Sequence, residues 1–309
     1  SIEAAAGPLL VALRNATRFG GKQNAMPIGA RLPAIMSTDA TEPLADWNEY
    51  DRWIKDDLDG RAAEPIAPGW AGMMYLWRAA ASMPGTWLFG RENMEPLIAQ
   101  EAYVEALRQM RQTADHYTTD RSSPKEIWQG LADGDLKAAI GFPDIAPMEN
   151  LSISHLPGEE ATSRILLDMY SPVVSISSGC RQSTAAKQFV TWICGGDGSE
   201  NVRKQIPSLT VTRSANLKDP SAPSALRRDG YDEWLCEKLK TTMVLPMIQI
   251  QEASGYYLEL DRQVRRCLQG EASATDALSE VKRRWQNITK KVGTETQMRQ
   301  WRRSQGIRA

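Results

Sequence analysis

Residues 129–144 read QGLADGDLKAAIGFPD, and this stretch indicates how the chain is built. Its polar first half, centred on Gly134, is typical of a helix end followed by a turn. The apolar run LKAAIGF that follows has strand length and predicts a buried strand. A helix, a turn and a strand in succession are the unit of an α/β fold. The run ends in Pro143 and Asp144, so the strand end is a place where a side chain could face a ligand.

The same alternation continues on both sides of this stretch. Residues 19–36 predict a glycine turn, a short strand and an extended segment broken by proline. Residues 182–196 predict a capped helix closed by glycines. Further helices are predicted over 231–241, 253–269 and 273–291. The fold class that follows is a helix-rich α/β protein.

Length and composition limit the classes of function that this chain can have. A chain of 309 residues is long enough for about two domains. Its net charge of −1 gives no reason to expect nucleic acid or a membrane surface as partner, and we interpret the basic end RQWRRSQGIRA as a solvated helix end. The longest apolar runs are too short to span a bilayer, and no signal peptide or anchor motif is recognisable in this sequence.

Cysteine spacing and aromatic content are the other unusual features. The four cysteines include no C-x-x-C pair, which argues against a zinc site and predicts either buried free thiols or a single bridge. We expect no metal and no cofactor. Ten tryptophans stand against four phenylalanines. Tryptophan faces either fill a core or stack on flat ligands such as sugars.

Five segments, in order, resemble family 1 of the extracellular solute-binding proteins of ABC importers, the group that contains maltodextrin-binding proteins. Together they extend over roughly residues 8–290. The five segments are 19–36 (a Gly-Lys, strand and Pro segment), 42–58 (EPLADWNEYDRWIKDDL), 130–144, 171–193 (a return strand and its helix) and 267–285 (CLQGEASATDALSEVKRRW).

The resemblance implies a periplasmic-binding-protein-like fold of two lobes joined by hinge crossovers that close over a ligand. We expect residues 1–30 and 170–209 to form lobe one, and residues 31–169 and 210–309 to form lobe two. In this family a strand, a helix and further strands precede the Gly-Lys segment. Since few residues precede it here, we expect lobe one to be incomplete at its N-terminus.

The resemblance also implies a function. The chain would be a monomeric carbohydrate-binding transport protein, not an enzyme. It would capture a small solute, a sugar or oligosaccharide, and deliver it to the membrane subunits of an ABC importer. Its location would be periplasmic or extracellular, with or without a membrane anchor.

The end of the strand over 136–142 offers the first candidate ligand contacts. In the family the matching strand ends in a tryptophan that stacks on a sugar ring, whereas here Asp144 follows Phe142 and Pro143. A carboxylate either accepts hydrogen bonds from a ligand or caps the following turn. Trp70 follows Pro68 and Gly69, at a place where the family presents an aromatic side chain to the cleft. It either contacts the ligand or packs in the core.

The crossovers and a C-terminal helix offer the others. Arg31 lies in the first crossover, where a guanidinium binds a carboxylate or sugar hydroxyls unless it is a surface charge. Tyr170 lies at the second crossover. Tyr256 aligns with a stacking aromatic of the family, and we expect Tyr257, one residue on, to pack inward more often than to contact ligand.

Two rival functions stay open. A scaffold that keeps the fold without a ligand is favoured by the missing tryptophan at 144. A glycoside hydrolase would need a carboxylate pair such as Asp144 with Glu149 or with Asp168. The enzyme hypothesis has little support, because the sequence has only two histidines and no G-x-S-x-G or P-loop motif.

Overall fold

The computed structural model describes residues 7–83, 85–144, 148, 150–159, 164–206, 209–213, 230–241 and 243–307. The strands are β1 Arg18–Phe19, β2 Lys22–Gln23, β3 Met26–Pro27, β4 Ala34–Ser37, β5 Ala62–Ala63, β6 Ala138–Gly141, β7 Ser152–Ser154 and β8 Val173–Val174. The helices are α1 Val11–Ala16, α2 Trp47–Arg52, α3 Ala71–Ser82, α4 Glu101–Ala114, α5 Pro124–Ala132, α6 Ser183–Cys194, α7 Gly196–Gln205, α8 Tyr231–Lys238, α9 Ala253–Leu268, α10 Ala274–Val292 and α11 Thr294–Ser304. A π-helical turn, Trp53–Asp57, extends α2.

The predicted strand lies inside the main sheet. That sheet has four strands in the order β5-β6-β4-β7, with β6 parallel to β5 and antiparallel to β4. All four residues of β6 are buried, which explains why its sequence is small and apolar throughout and does not alternate. The sequence prediction for this strand is confirmed, and its end leads directly to Phe142.

The helices predicted in the last third are confirmed as α8, α9 and α10. Helix α9 packs on α3 and α10. At its closest approach to α3, a Cβ on Gly72 would lie 2.8 Å from the backbone nitrogen of Asp261. Only glycine admits this spacing without a shift of the backbone. The basic C-terminus was interpreted as a solvated helix end, but one residue of this helix, α11, is not solvated: Trp301 is 1% exposed.

A second, two-stranded sheet joins the two chain crossovers. In it β3 pairs with β8, with Met26 opposite Val174 and Pro27 opposite Val173. The return strand expected at the start of 171–193 is thus very short, since only Val173 and Val174 have a partner strand.

The buried apolar residues form a large cluster and a small one. The small cluster consists of Leu9, Met26, Val190 and Cys194, which all fall in the ranges expected to form lobe one. Leu10 and other residues of the same ranges belong instead to the large cluster. The division into lobes therefore stays a prediction.

A fully buried ion pair crosses the large cluster. Arg78 of α3 and Glu64 after β5 are each 1% exposed, and Arg78 Nε donates to Glu64 Oε2 at 3.1 Å. The guanidinium lies 4.0 Å from the ring centroid of Trp47. The Tyr117 hydroxyl donates to Glu64 Oε1 at 2.5 Å. Each charge thus has a charged or hydrogen-bonding neighbour, as buried charges require.

The described residues also give the state of the cysteines and the apolar character of the helices. All four cysteines are free, and three of them are buried. In the described ranges, no helix is both long and apolar enough to cross a membrane.

Candidate functional site

The two crossovers that carry β3 and β8 are held together just beyond the small sheet. The Arg31 N–H donates to Ser171 Oγ at 3.2 Å, and the Asp168 N–H donates to the Arg31 carbonyl at 3.2 Å. These bonds connect residues about 140 positions apart in the sequence. They bring Arg31 and Tyr170, both expected at crossovers, to one place.

Arg31 is fixed there by a carboxylate that is completely buried. Its guanidinium lies 2.8 Å from Asp168 Oδ2, with the Asp168 side chain 0% exposed and the Arg31 side chain 23% exposed. Arg31 Nη2 also donates to the Tyr170 carbonyl at 3.2 Å. Burial raises the pKa of Asp168 above its usual value, although Arg31 and the Tyr170 N–H oppose this.

We expect the contribution of Asp168 to stability to decrease as pH rises. A carboxyl whose pKa is raised by folding binds its proton more tightly in the folded state. Its contribution is therefore complete below the unfolded-state pKa, about 3.9, and is lost as pH rises through the folded-state pKa. Urea unfolding of the wild type and of Asp168→Asn should show the wild-type advantage shrinking from about pH 4 upward. An advantage that grows with pH would mean that Arg31 outweighs the burial of Asp168.

Two aromatic rings, those of Trp70 and Phe142, lie beside the Arg31 guanidinium, and the Tyr170 ring lies against Trp70. The ring centroid of Trp70 lies 4.8 Å from that of Tyr170 and 5.8 Å from that of Phe142. Arg31 lies 5.0 Å from the Phe142 centroid and 6.0 Å from the Trp70 centroid, within cation–π range. Tyr170 is 44% exposed, whereas Phe142 is 3% exposed. We call Arg31, Trp70, Phe142 and Tyr170 the aromatic–arginine cluster.

The position of Trp70 depends on a carboxylate from another part of the chain. Asp261 of α9 accepts hydrogen bonds from the backbone N–H groups of Gly69 and Gly72, each at 3.0 Å. The Tyr170 hydroxyl donates to the Gly69 carbonyl at 3.1 Å. The first turn of α3 is therefore fixed on both sides, which holds the Trp70 ring in place.

The tyrosine pair on α9 has the opposite orientation to the one expected. Tyr256 is 0% exposed, and its hydroxyl lies 2.7 Å from Thr289 Oγ1. Tyr257 is partly exposed and accepts the Ile248 N–H at 2.9 Å. Burial of its hydroxyl raises the pKa of Tyr257, although the hydrogen bond from the Ile248 N–H opposes this. Tyr256 therefore packs inward and Tyr257 is the more exposed of the two, so we leave Tyr256 out of the candidate site, and the role of Tyr257 stays a prediction.

The strand end at Asp144 is only partly described. Asp144 is half-buried. Residues 145–147 and Glu149 lie outside the described residues, so the roles suggested for Asp144, alone or with Glu149, stay predictions. Asp168, its other suggested partner, is buried against Arg31 and does not face solvent. Among the residues that the structure describes, no group of three His, Cys, Asp or Glu side chains is placed to hold a metal ion.

Sequence reasoning found the cluster residues one at a time but missed what joins them. Asp168 was considered only as a catalytic carboxylate, and Asp261 was not considered. Nothing in the local sequence indicates these roles, because the partners are distant in the sequence. Asp168 is 137 positions from Arg31, and Asp261 is 192 and 189 positions from Gly69 and Gly72.

No protein-family model and no curated protein matches this chain significantly, but solved structures do match. An ABC-transporter solute-binding protein of Agrobacterium vitis S4 with bound D-mannitol aligns over 92% of this chain and 77% of its own, with a TM-score of 0.71 and 16% identity. The sugar-binding protein MalE of Xanthomonas citri aligns over 94% and 75%, with a TM-score of 0.70 and 15% identity.

Maltose-bound MalE3 of T. maritima aligns over 91% of this chain and 76% of its own, with a TM-score of 0.69 and 15% identity. The three proteins thus share the arrangement of most of this chain, while their sequences have diverged far from it. The chain has the two-lobe α/β fold of ABC-transporter solute-binding proteins.

Proposed function

We propose that this chain captures a sugar or polyol between two lobes and delivers it to the membrane subunits of an ABC importer. The observation that carries the proposal is the aromatic–arginine cluster, which lies where the two crossovers of this fold meet. The protein would act outside the cytoplasm as a monomer, without performing chemistry on its ligand.

The cluster offers the two kinds of contact that a sugar needs. Aromatic rings provide apolar faces for the C–H groups of the ligand, and a few fixed polar groups bind its hydroxyls. The Arg31 side chain is 23% exposed, so we expect its guanidinium to offer a donor to a ligand hydroxyl. The Tyr170 hydroxyl can accept a hydrogen bond while it donates to Gly69.

The ligands of the structural neighbours support the same solute class. D-mannitol and maltose are bound to two of them, and a receptor of Streptomyces glaucescens was solved with acarbose. We propose the lobe ranges given above, 1–30 with 170–209 and 31–169 with 210–309, as the parts that close on the ligand. The proposed sugar site would consist of Arg31, Trp70 and Tyr170, together with Phe142, Asp144 and Tyr257.

Trp70→Ala is expected to weaken sugar binding by about tenfold to thirtyfold, which corresponds to about 1.4–2 kcal/mol. The reason is that the substitution removes the partly exposed ring nearest to Arg31 and Tyr170. Isothermal titration with D-mannitol, maltose and acarbose would measure the effect. Circular dichroism should show that the variant remains folded, because Trp70 is only partly buried.

The matched control is Trp192→Ala. Trp192 lies on α6 and is 51% exposed, so its removal changes an exposed tryptophan outside the cluster. We expect this variant to bind like the wild type. If Trp70→Ala and Trp192→Ala have equal affinities for the sugar, the cluster is not its binding site.

A further inference from the structure

A second candidate site is a cavity of about 560 Å³. It is enclosed by the end of α1, the β1–β2 turn, residues 244–249 and the end of α11. None of the four cluster residues lines it. Its volume is in the range of cavities that bind small molecules.

The charged groups of this cavity have one sign. Arg18 and Arg303 line it, and none of its described lining residues is Asp or Glu. The Gly20 N–H donates to the Arg303 carbonyl at 3.3 Å, which holds the two arginine-bearing segments next to each other. Two arginines in the lining, with no Asp or Glu among its described residues, favour a positive potential there.

The remaining lining divides into a polar part and an apolar part. Asn15, Gln249 and Gln305 contribute side-chain amides, and Gln249 is held by the bond from its Nε2 to the Ala16 carbonyl at 3.0 Å. The apolar part of the lining consists of Leu167, Val244, Leu245, Pro246 and Met247. A ligand that fits both parts has an anionic group at one end and an apolar body.

We propose that this cavity binds a small organic oxyanion, a carboxylate or a phosphomonoester, with its charge between Arg18 and Arg303. The planar guanidinium matches such groups in geometry as well as in charge. The apolar body of the ligand lies along residues 244–247. The lining of this site includes none of the residues proposed for the sugar site, and the proposal does not depend on that site.

The test uses fluorine NMR titration of the full chain with 4-fluorobenzoate, and with 4-fluorobenzyl alcohol as a neutral molecule of the same size. We expect 4-fluorobenzoate to bind more tightly than the alcohol. Arg18→Gln and Arg303→Gln should each weaken it by about tenfold, the usual effect of one charge-assisted hydrogen bond. Both arginines are exposed, so the variants are expected to fold normally.

Control variants remove a charge of the same kind nearby. Arg299 is exposed on α11, and Lys22 is exposed on β2, but neither lines the cavity. Arg299→Gln and Lys22→Gln should leave the affinity unchanged. Three results would overturn the proposal: equal binding of the alcohol, wild-type affinity in both cavity variants, or loss of binding on Arg31→Gln, which would place the anion in the sugar site.

Discussion

Arg78→Met is expected to lower the free energy of unfolding by about 3–5 kcal/mol, the cost of leaving one charge of a buried pair without its partner. The Glu64 carboxyl group would be left at 1% exposure without its cationic partner, although it would still accept the hydrogen bond from the Tyr117 hydroxyl. The cation–π contact with Trp47 would also be lost. Urea unfolding followed by circular dichroism would measure the change.

Two further variants separate this effect from the loss of an ordinary arginine. Arg108 pairs with Glu105 at the surface of α4, where both side chains are nearly half exposed, and Arg108→Met should cost less than about 1 kcal/mol. Glu64→Gln combined with Arg78→Met removes both charges and leaves an acceptor for Tyr117, so it should restore much of the lost stability. If Arg78→Met costs no more than Arg108→Met, the pair does not have the energetic role assigned to it.

Tyr256→Ala is expected to lower the free energy of unfolding by about 3–5 kcal/mol, as for other large aromatic residues truncated in a core. The ring is fully buried, with its centroid 5.7 Å from that of Phe89 and 5.6 Å from that of Trp285. The hydrogen bond to Thr289 is lost as well. Thermal and urea unfolding would show the change, while the folded fraction should bind sugar like the wild type.

Tyr256→Phe is the matched control for the hydroxyl. It keeps the packed ring and should cost only about 1 kcal/mol, the usual net value of one hydrogen bond. A Tyr256→Ala variant that is as stable as the wild type and binds sugar weakly would reverse our placement of this residue.

Tyr256 also shows what the local sequence cannot predict. The period of apolar residues and the Ser273 cap predicted α9 and α10 nearly to their ends. Which of two adjacent tyrosines faces inward depends on the rotation of α9, and consecutive residues on a helix point about 100° apart. That rotation is set by packing against α3 and α10, which no local pattern records.

Sequence reasoning named the members of the aromatic–arginine cluster but not their assembly. Each member had a local signal in the sequence. Arg31 and Tyr170 lie at the crossovers, and Trp70 follows a Pro-Gly turn. Their convergence depends on Asp168 and Asp261, whose partners are distant in the sequence. The buried Arg78 escaped prediction for a different reason: its partner Glu64 is only 14 positions away, but a charged residue on a helix is usually exposed.

The measurement that tests the central claim most directly is the melting temperature of the chain with D-mannitol, maltose or acarbose, each raised until the effect saturates. A ligand at 100 times its dissociation constant stabilises the folded state by about 2.7 kcal/mol, which raises the melting temperature visibly. We predict a rise with at least one of these ligands, reduced in Trp70→Ala. An unchanged melting temperature with all three would contradict the proposal that the chain captures a sugar or polyol.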